Sequence, residues 1–295
     1  MAMRKIQFVA LARAAAFAAS LLLPAIGVAA DAKPSRIVAI GGSVTEIVYA
    51  LGEEARLVGR DSTSVYPPEA LKLPDTGYIR ALSPEGVLSL NPDLILTLDG
   101  AGPPPALEAL KAAGVRTVTI PEGFDRNAII YKITAVGAAL GAEDKAEALA
   151  GKVQAALDKA VALSAEQGRK ARVLFVLSAR EGRLMASGSK TQADGIIRMA
   201  GAENVLADIE GFKPVSDEAV IAAAPDVILM MTGTGDHAAS NETVLALPAI
   251  AETPAGKAKR IVRMDGMYLL GFGPRTADAI VSLHEALYGN RKPGE

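Results

Sequence analysis

One segment of this chain occurs twice, and that recurrence limits the fold more than any other feature. Residues 82–100, LSPEGVLSLNPDLILTLDG, align without a gap to residues 215–233, VSDEAVIAAAPDVILMMTG, 133 positions later. Ser83 and Ser216, Glu85 and Glu218, Pro92 and Pro225, and Asp93 and Asp226 are among the identical pairs. In each copy a Ser suited to an N-cap precedes a short helix, Pro-Asp ends it, and a continuous apolar run reads as a buried strand. A fainter echo joins EIVYALGEEARLV (46–58) to GIIRMAGAENVLA (195–207), each a short helix stopped by Gly52 or Gly201. A repeat of this length means two related domains rather than a solenoid.

Each half alternates strand-like runs with helical stretches. The first offers 36–40, 57–59, 94–98 and 117–120, and the second 172–177, 227–231 and 260–264. Apolar strands separated by helices imply mainly parallel sheets covered on both faces. Between the halves, residues 142–171 are dense in Ala, Leu, Lys, Glu and Gln. This composition predicts a long helix of about 25 residues, roughly 37 Å, with Ala146, Val153, Ala156, Leu157, Ala160 and Leu163 on or near one apolar face. The expected architecture is α/β: two Rossmann-like lobes, 31–141 and 171–295, joined by a spine helix over 142–170. A ligand cleft is then expected between the lobes, at the carboxyl ends of the strands.

The first 30 residues stand apart. Arg4, Lys5 and Arg13 flank or precede an apolar run, AAAFAASLLLPAIGVAA, and no acid appears before Asp31. This is the pattern of a cleaved export signal ending near Ala30. The uncharged run of 17 residues, broken by Pro24, is short for a membrane span of about 20. Its removal takes the formal charge from −2 to −5, which disfavours nucleic acid as a partner. With no Cys, the chain has neither a disulfide nor a lipid-bearing residue after the cleavage site. A monomer in the periplasm is the expectation.

Five segments together carry a family resemblance: RIVAIGGSVTEIVYALG, GRDSTSVYP, LPDTGYIRALSPEGVLSLNPDLIL, LMASGSKTQADGIIRMAGAENV and LLGFGPRTADAI. From about 34 to 290 the chain resembles the periplasmic hemin-binding proteins of ABC importers, within the cobalamin and siderophore class of substrate-binding proteins. The resemblance is specific in Gly-Tyr-x-Arg (77–80) and generic in the Pro-Asp strands. It implies heme as the transported ligand, Tyr78 as its axial iron ligand with Arg80 in support, and a membrane permease with its ATPase as partner, downstream of an outer-membrane heme receptor system.

The chemistry of the residues agrees with that implication. Ferric iron favours an anionic oxygen donor, and phenolate is a known heme ligand. A free tyrosine ionises near pH 10, so a nearby cation helps to make the phenolate available. In an extended backbone residues two apart share a side, which would place Arg80 beside Tyr78. By drawing electron density from the phenolate, Arg80 also suits a carrier that must release its cargo. Pro74 and Gly77 supply a stop and a turn.

Tyr66 is the rival ligand, or a cover for the porphyrin, and Tyr268 is a third aromatic for the opposite wall. Some hemin binders carry a His just after the strand that corresponds to VLFVLS; here Ala179 stands there and Arg180 follows. Six-coordination and two-heme stacking are therefore not expected, while Arg180 and Arg275 are candidates to pair with a propionate. His237 and His284 are far apart and lack metal-ligand spacing, which disfavours a bare zinc or manganese carrier. Glu85 and Glu218 suit the positive ends of their helices. In the resembling class such acids dock on basic pockets of the permease, and their internal equivalence points to two-point docking.

An enzyme is disfavoured. GGSVTE lacks dinucleotide-fingerprint spacing, Ser43 and Glu46 read as a capping box, and neither a GxSxG elbow nor a phosphate loop occurs; ASGSKTQ (186–192) does not fit one. Within binding proteins the alternative is a siderophore or corrinoid carrier, which would gather several cations such as Arg80, Arg180 and Arg275.

Overall fold

The computed structural model describes residues 33–165, 168–180, 182–232 and 239–289. The expected export signal at 1–30 and His237 lie outside them. The first sheet holds β1 (Ile37–Ile40), β2 (Leu57–Arg60), β3 (Leu94–Leu98) and β4 (Arg116–Ile120), all parallel in the order β2-β1-β3-β4. Its crossovers contain α1 (Gly42–Ala50), α2 (Pro84–Leu88) and α3 (Pro104–Ala112). Central strand β1 is buried throughout, which is why it is an unbroken apolar run.

The second sheet holds β5 (Arg172–Arg180), β6 (Arg183–Ser187), β7 (Glu203–Asn204), β8 (Phe212–Val215), β9 (Val227–Thr232) and β10 (Ile261–Asp265). Its path is β10-β9-β5-β6-β8, with β7 beside the start of β5. Taken alone, the parallel strands run β7-β5-β9-β10, the order of β2-β1-β3-β4 in the first sheet. The sequence repeat is thus a repeat of topology. Antiparallel β6 and β8, which no sequence signal marked, are added at the edge of the second sheet.

The repeated Pro-Asp has a specific structural task. Asp93 N–H donates to Arg36 O at 2.9 Å and Asp226 N–H to Arg172 O at 2.7 Å. Each carboxylate in turn accepts from the chain entering the neighbouring strand, Asp93 from Ser35 and Arg36 N–H and Asp226 from Arg172 N–H. Each arginine reaches back to the carbonyls that end the preceding helical segment: Arg36 to Leu90 and Asn91, Arg172 to Ala223. Asn91 and Ala224, equivalent in the repeat, are both left-handed, with φ of 48° and 42°. One Asp–Arg strap therefore locks the start of the central strand to the turn before its neighbour in each lobe.

Between the sheets run α4 (Arg126–Leu140) and α5 (Glu143–Ser164), packed as a helical hairpin. Helix α5 has 22 residues, about 33 Å at 1.5 Å per residue. It ends at Ser164, short of the expected 170. Its buried stripe is Ala146, Ala150, Val153, Leu157, Ala160 and Ser164, while Ala156 and Leu163, expected on that face, are exposed. The alternating spacing of four and three is the trace of one helical face.

The remaining helices are α6 (Gln192–Met199), α7 (Asp217–Ala223), the short α8 (Asn241–Leu245), α9 (Pro248–Ala251) and α10 (Pro254–Lys257), then α11 (Gly266–Leu270) and α12 (Thr276–Tyr288). A single hydrophobic cluster passes from Ile37 and Leu94 through Ile133 and Leu157 to Val173, Leu229, Ile196 and Leu283. The lobes are consequently joined by continuous packing and not by the spine alone. Helix α6 meets the first lobe so closely that a Cβ on Gly195 would lie 2.3 Å from the Phe124 carbonyl oxygen.

Candidate functional site

A cleft of about 350 Å³ opens between the two sheets, within the range of small-molecule sites. One wall carries Ile79, Arg80, Leu98, Asp99, Gly100, Glu122 and Phe124, and the other Lys190, Thr191, Gln192, Gly211 and Phe212. Leu98 closes β3, next to β1 where the strand order reverses, the switch point at which open α/β sheets bind ligands.

Tyr78 is 45 % exposed and immediately precedes Ile79 and Arg80, which line this cleft. The expected extended backbone is replaced by a tight turn, in which Ala81 N–H donates to Tyr78 O at 2.7 Å. Arg80 is nonetheless beside the phenol: its Nη1 donates to the Tyr78 hydroxyl at 3.2 Å. Gly77, with φ of 96°, turns the chain into this geometry. Upstream, Arg60 N–H donates to Pro74 O, Thr76 N–H to Arg60 O, and the Arg60 guanidinium to Asp75 at 2.8 Å. The turn is thereby clipped to the end of β2.

The adjoining loop, 61–67, is organised by a fully buried aspartate. Asp61 accepts from Gly41 N–H at 2.9 Å, Thr63 N–H and hydroxyl at 3.0 and 2.6 Å, and the Ser64 hydroxyl at 2.6 Å. Ser62 N–H donates to Gly77 O, tying the loop that bears Tyr66 to the turn that bears Tyr78. Asp-Ser-Thr-Ser is a pattern of residues that bond their own backbone, and that signal was available in the sequence.

Tyr66 is 40 % exposed. The Arg275 guanidinium lies 3.5 Å from its ring centroid and 5.3 Å from that of Tyr268, so these three residues come together from both halves of the chain. Arg275 has a carboxylate partner within the protein: Nε and Nη2 donate to Glu46 Oε2 at 3.0 and 2.9 Å, and its N–H to Oε1 at 3.1 Å. Arg275, expected as a candidate to pair with a propionate, thus already holds a carboxylate within the protein. This pairing also corrects the reading of Ser43 and Glu46 as a capping box, since α1 is entered through Gly41 without a side-chain cap. Arg180 ends β5 opposite Arg183 of β6; of the expected site residues Arg80 lines the cleft, while Tyr66, Tyr78, Arg180, Tyr268 and Arg275 lie outside its lining.

A buried ion pair escaped the sequence reading altogether. Lys132 of α4, 0 % exposed, donates to Glu122 at 2.7 Å and to the Ser43 hydroxyl at 3.2 Å. Burial pushes the Lys132 ammonium below the ordinary lysine range, against the opposing pull of Glu122 and then Glu46. Lys132 recurs at no telling interval, so only packing reveals it.

The two repeated acids occupy matching places. Each is the second residue of its helix after a capping Ser: Ser83 accepts from Gly86 N–H before Glu85 of α2, and Ser216 from Ala219 N–H before Glu218 of α7. Both acids are exposed. Glu218 is held below the usual carboxylate range by its own backbone N–H and by the Ser216 hydroxyl. His284 faces Ala200 O at 3.1 Å, and among the described residues no group of three or more acids and histidines is placed to hold a metal.

With this geometry in view, comparison with known proteins is informative. The periplasmic binding protein family matches residues 37–268. Periplasmic heme-binding protein BhuT, solved in complex with two hemes, is 42 % identical, with a TM-score of 0.79 over 85 % of this chain and 97 % of that one. Periplasmic heme-binding protein RhuT from Roseiflexus sp. RS-1, in apo form, is 40 % identical, with a TM-score of 0.83 over 86 % and 98 %. The vitamin B12-binding protein of Pectobacterium carotovorum is 28 % identical over 227 residues, 75 % of this chain and 81 % of its own length.

Proposed function

We propose, from the premise that this chain belongs to the periplasmic binding protein family and is closely related to periplasmic heme-binding proteins, that it captures hemin in the periplasm and hands it to an inner-membrane ABC transporter. Its relatives bind and carry rather than catalyse, and no step of bond chemistry is assigned to it. One observation carries the choice of cargo: an exposed phenol whose oxygen lies 3.2 Å from the guanidinium of Arg80, a residue that lines the inter-lobe cleft.

Tyr78 is the iron ligand in this reading. Arg80 favours the anionic oxygen that ferric iron prefers and lowers its donor strength, which keeps the cargo releasable. Tyr66, stacked under Arg275, is the aromatic surface next to it. The helices headed by Glu85 and Glu218 are the contacts to the permease, one from each lobe, and the export signal at 1–30 delivers the chain to its compartment.

Titration of the purified mature protein with hemin, cobalamin and a ferric siderophore tests the reading. A one-to-one hemin complex with a high-spin tyrosinate-type spectrum is expected. Preference for cobalamin or the siderophore would replace hemin as the cargo.

A further inference from the structure

The turn between β6 and α6, residues 188–191 of SGSKTQ, is not explained by the iron site. Lys190 sits in it with φ of 55°, left-handed backbone that side-chain-bearing residues rarely adopt. In the alignment that pairs Gly52 with Gly201, Lys190 matches Gly41, whose φ is 115°. The first lobe thus fills this position with glycine and the second with lysine. Strained backbone of this kind gathers at functional sites, and Lys190 lines the cleft.

The other cations near the cleft are engaged. Arg80 donates to Tyr78, Lys132 to Glu122, and Arg275 to Glu46. Lys190 pairs with Glu210 at 2.9 Å, but both side chains are about two-thirds exposed, at 67 % and 65 %. A solvated surface pair of this kind is readily exchanged for a better-placed anion. The facing wall carries two acids, Asp99, hydrogen-bonded by Gly100 N–H, and Glu122, paired with Lys132, whereas Lys190 is, among the described residues, the one charged residue lining the second wall. The charge pattern therefore favours an anionic group at the second lobe and not at the first.

We infer that Lys190 is the carboxylate-recognising residue of the cleft, leaving Glu210 to pair with a propionate of the bound porphyrin while Tyr78, next to Ile79 and Arg80 of the facing wall, holds the iron. This rests on the hemin reading above and names the second point of a two-point recognition. One lobe reads the metal and the other reads the acid edge, so full retention requires a ligand that carries both.

Lys190→Gly is the informative variant, because glycine accepts the left-handed backbone and removes the amine without new strain. Its affinity for hemin and for hemin dimethyl ester, in which both carboxylates are masked, is measured beside that of the wild type. Loss of a charge-assisted contact predicts about tenfold weaker hemin binding, unchanged binding of the ester, and an unchanged tyrosinate spectrum. Lys190→Arg restores hemin affinity. Wild-type hemin affinity in Lys190→Gly, or equal losses for hemin and ester, overturns the inference and leaves the iron site standing. A wild type that forms no hemin complex overturns the reading itself and this inference with it.

Discussion

Arg80 Nη1 and the Tyr78 hydroxyl oxygen are 3.2 Å apart across a turn closed by the Tyr78 carbonyl and the Ala81 N–H. The turn, rather than strand alternation, brings the two side chains together. It is anchored through Arg60 and Asp75 to the end of β2, so the pair is presented on a supported loop.

Tyr78→Phe keeps the ring and removes the oxygen. Hemin added to this variant should show no tyrosinate-type absorption. Arg80→Ala should weaken hemin binding by roughly tenfold at neutral pH, the low end for loss of a metal ligand's partner. It should also shift the onset of the tyrosinate complex to higher pH in a spectrophotometric titration. An unshifted onset would remove Arg80 from its supporting role.

The Asp93 strap makes an acid-sensitive contribution to stability. Burial pushes its carboxyl up, but hydrogen bonds from Ser35 N–H, Arg36 N–H and the Ser35 hydroxyl outweigh this and hold it below the ordinary range. A depressed carboxylate stabilises the fold fully above the unfolded value, about 3.9, and the contribution is lost as pH falls through the lower folded value. Asp93→Asn should cost about 1 kcal/mol near neutrality. Urea midpoints followed down to about pH 2 should show the wild type and the variant converging.

Glu122 and Lys132 should behave asymmetrically. Glu122→Ala strands a buried ammonium and should destabilise by about 3–5 kcal/mol. Lys132→Met combined with Glu122→Leu replaces the pair with apolar volume and should cost far less, or nothing. Denaturant unfolding of the single and double variants measures the difference. Equal losses would mean the pair contributes chiefly through shape.

Charge reversal at the repeated acids separates docking from capture. Glu85→Lys with Glu218→Lys should abolish stimulation of the cognate transporter's ATPase while hemin affinity stays within about twofold, since both side chains are exposed and charged rim residues set orientation and encounter. Retained stimulation would end the two-point docking idea.

The pattern of residues along the chain determined the repeat, the parallel strand runs and the alternation with helices, and it marked Tyr78 and Arg80 as neighbours, though a turn and not the expected extended backbone joins them. These are local or periodic signals, carried by caps, Pro-Asp breaks and apolar runs that read the same in any context. Even the strap that Asp93 and Asp226 form was foreshadowed by their identity in the two copies. Tertiary structure decided the rest. Arg275 meets Glu46 from 229 positions away, Lys132 finds Glu122 beneath the cleft, and Lys190 comes to face the wall that bears Arg80. Charged side chains carry no period and choose partners by through-space distance and burial, which exist only once the sheets have packed. For the same reason β6, which lies between β5 and β8, and β8 at the edge became strands through their antiparallel pairing.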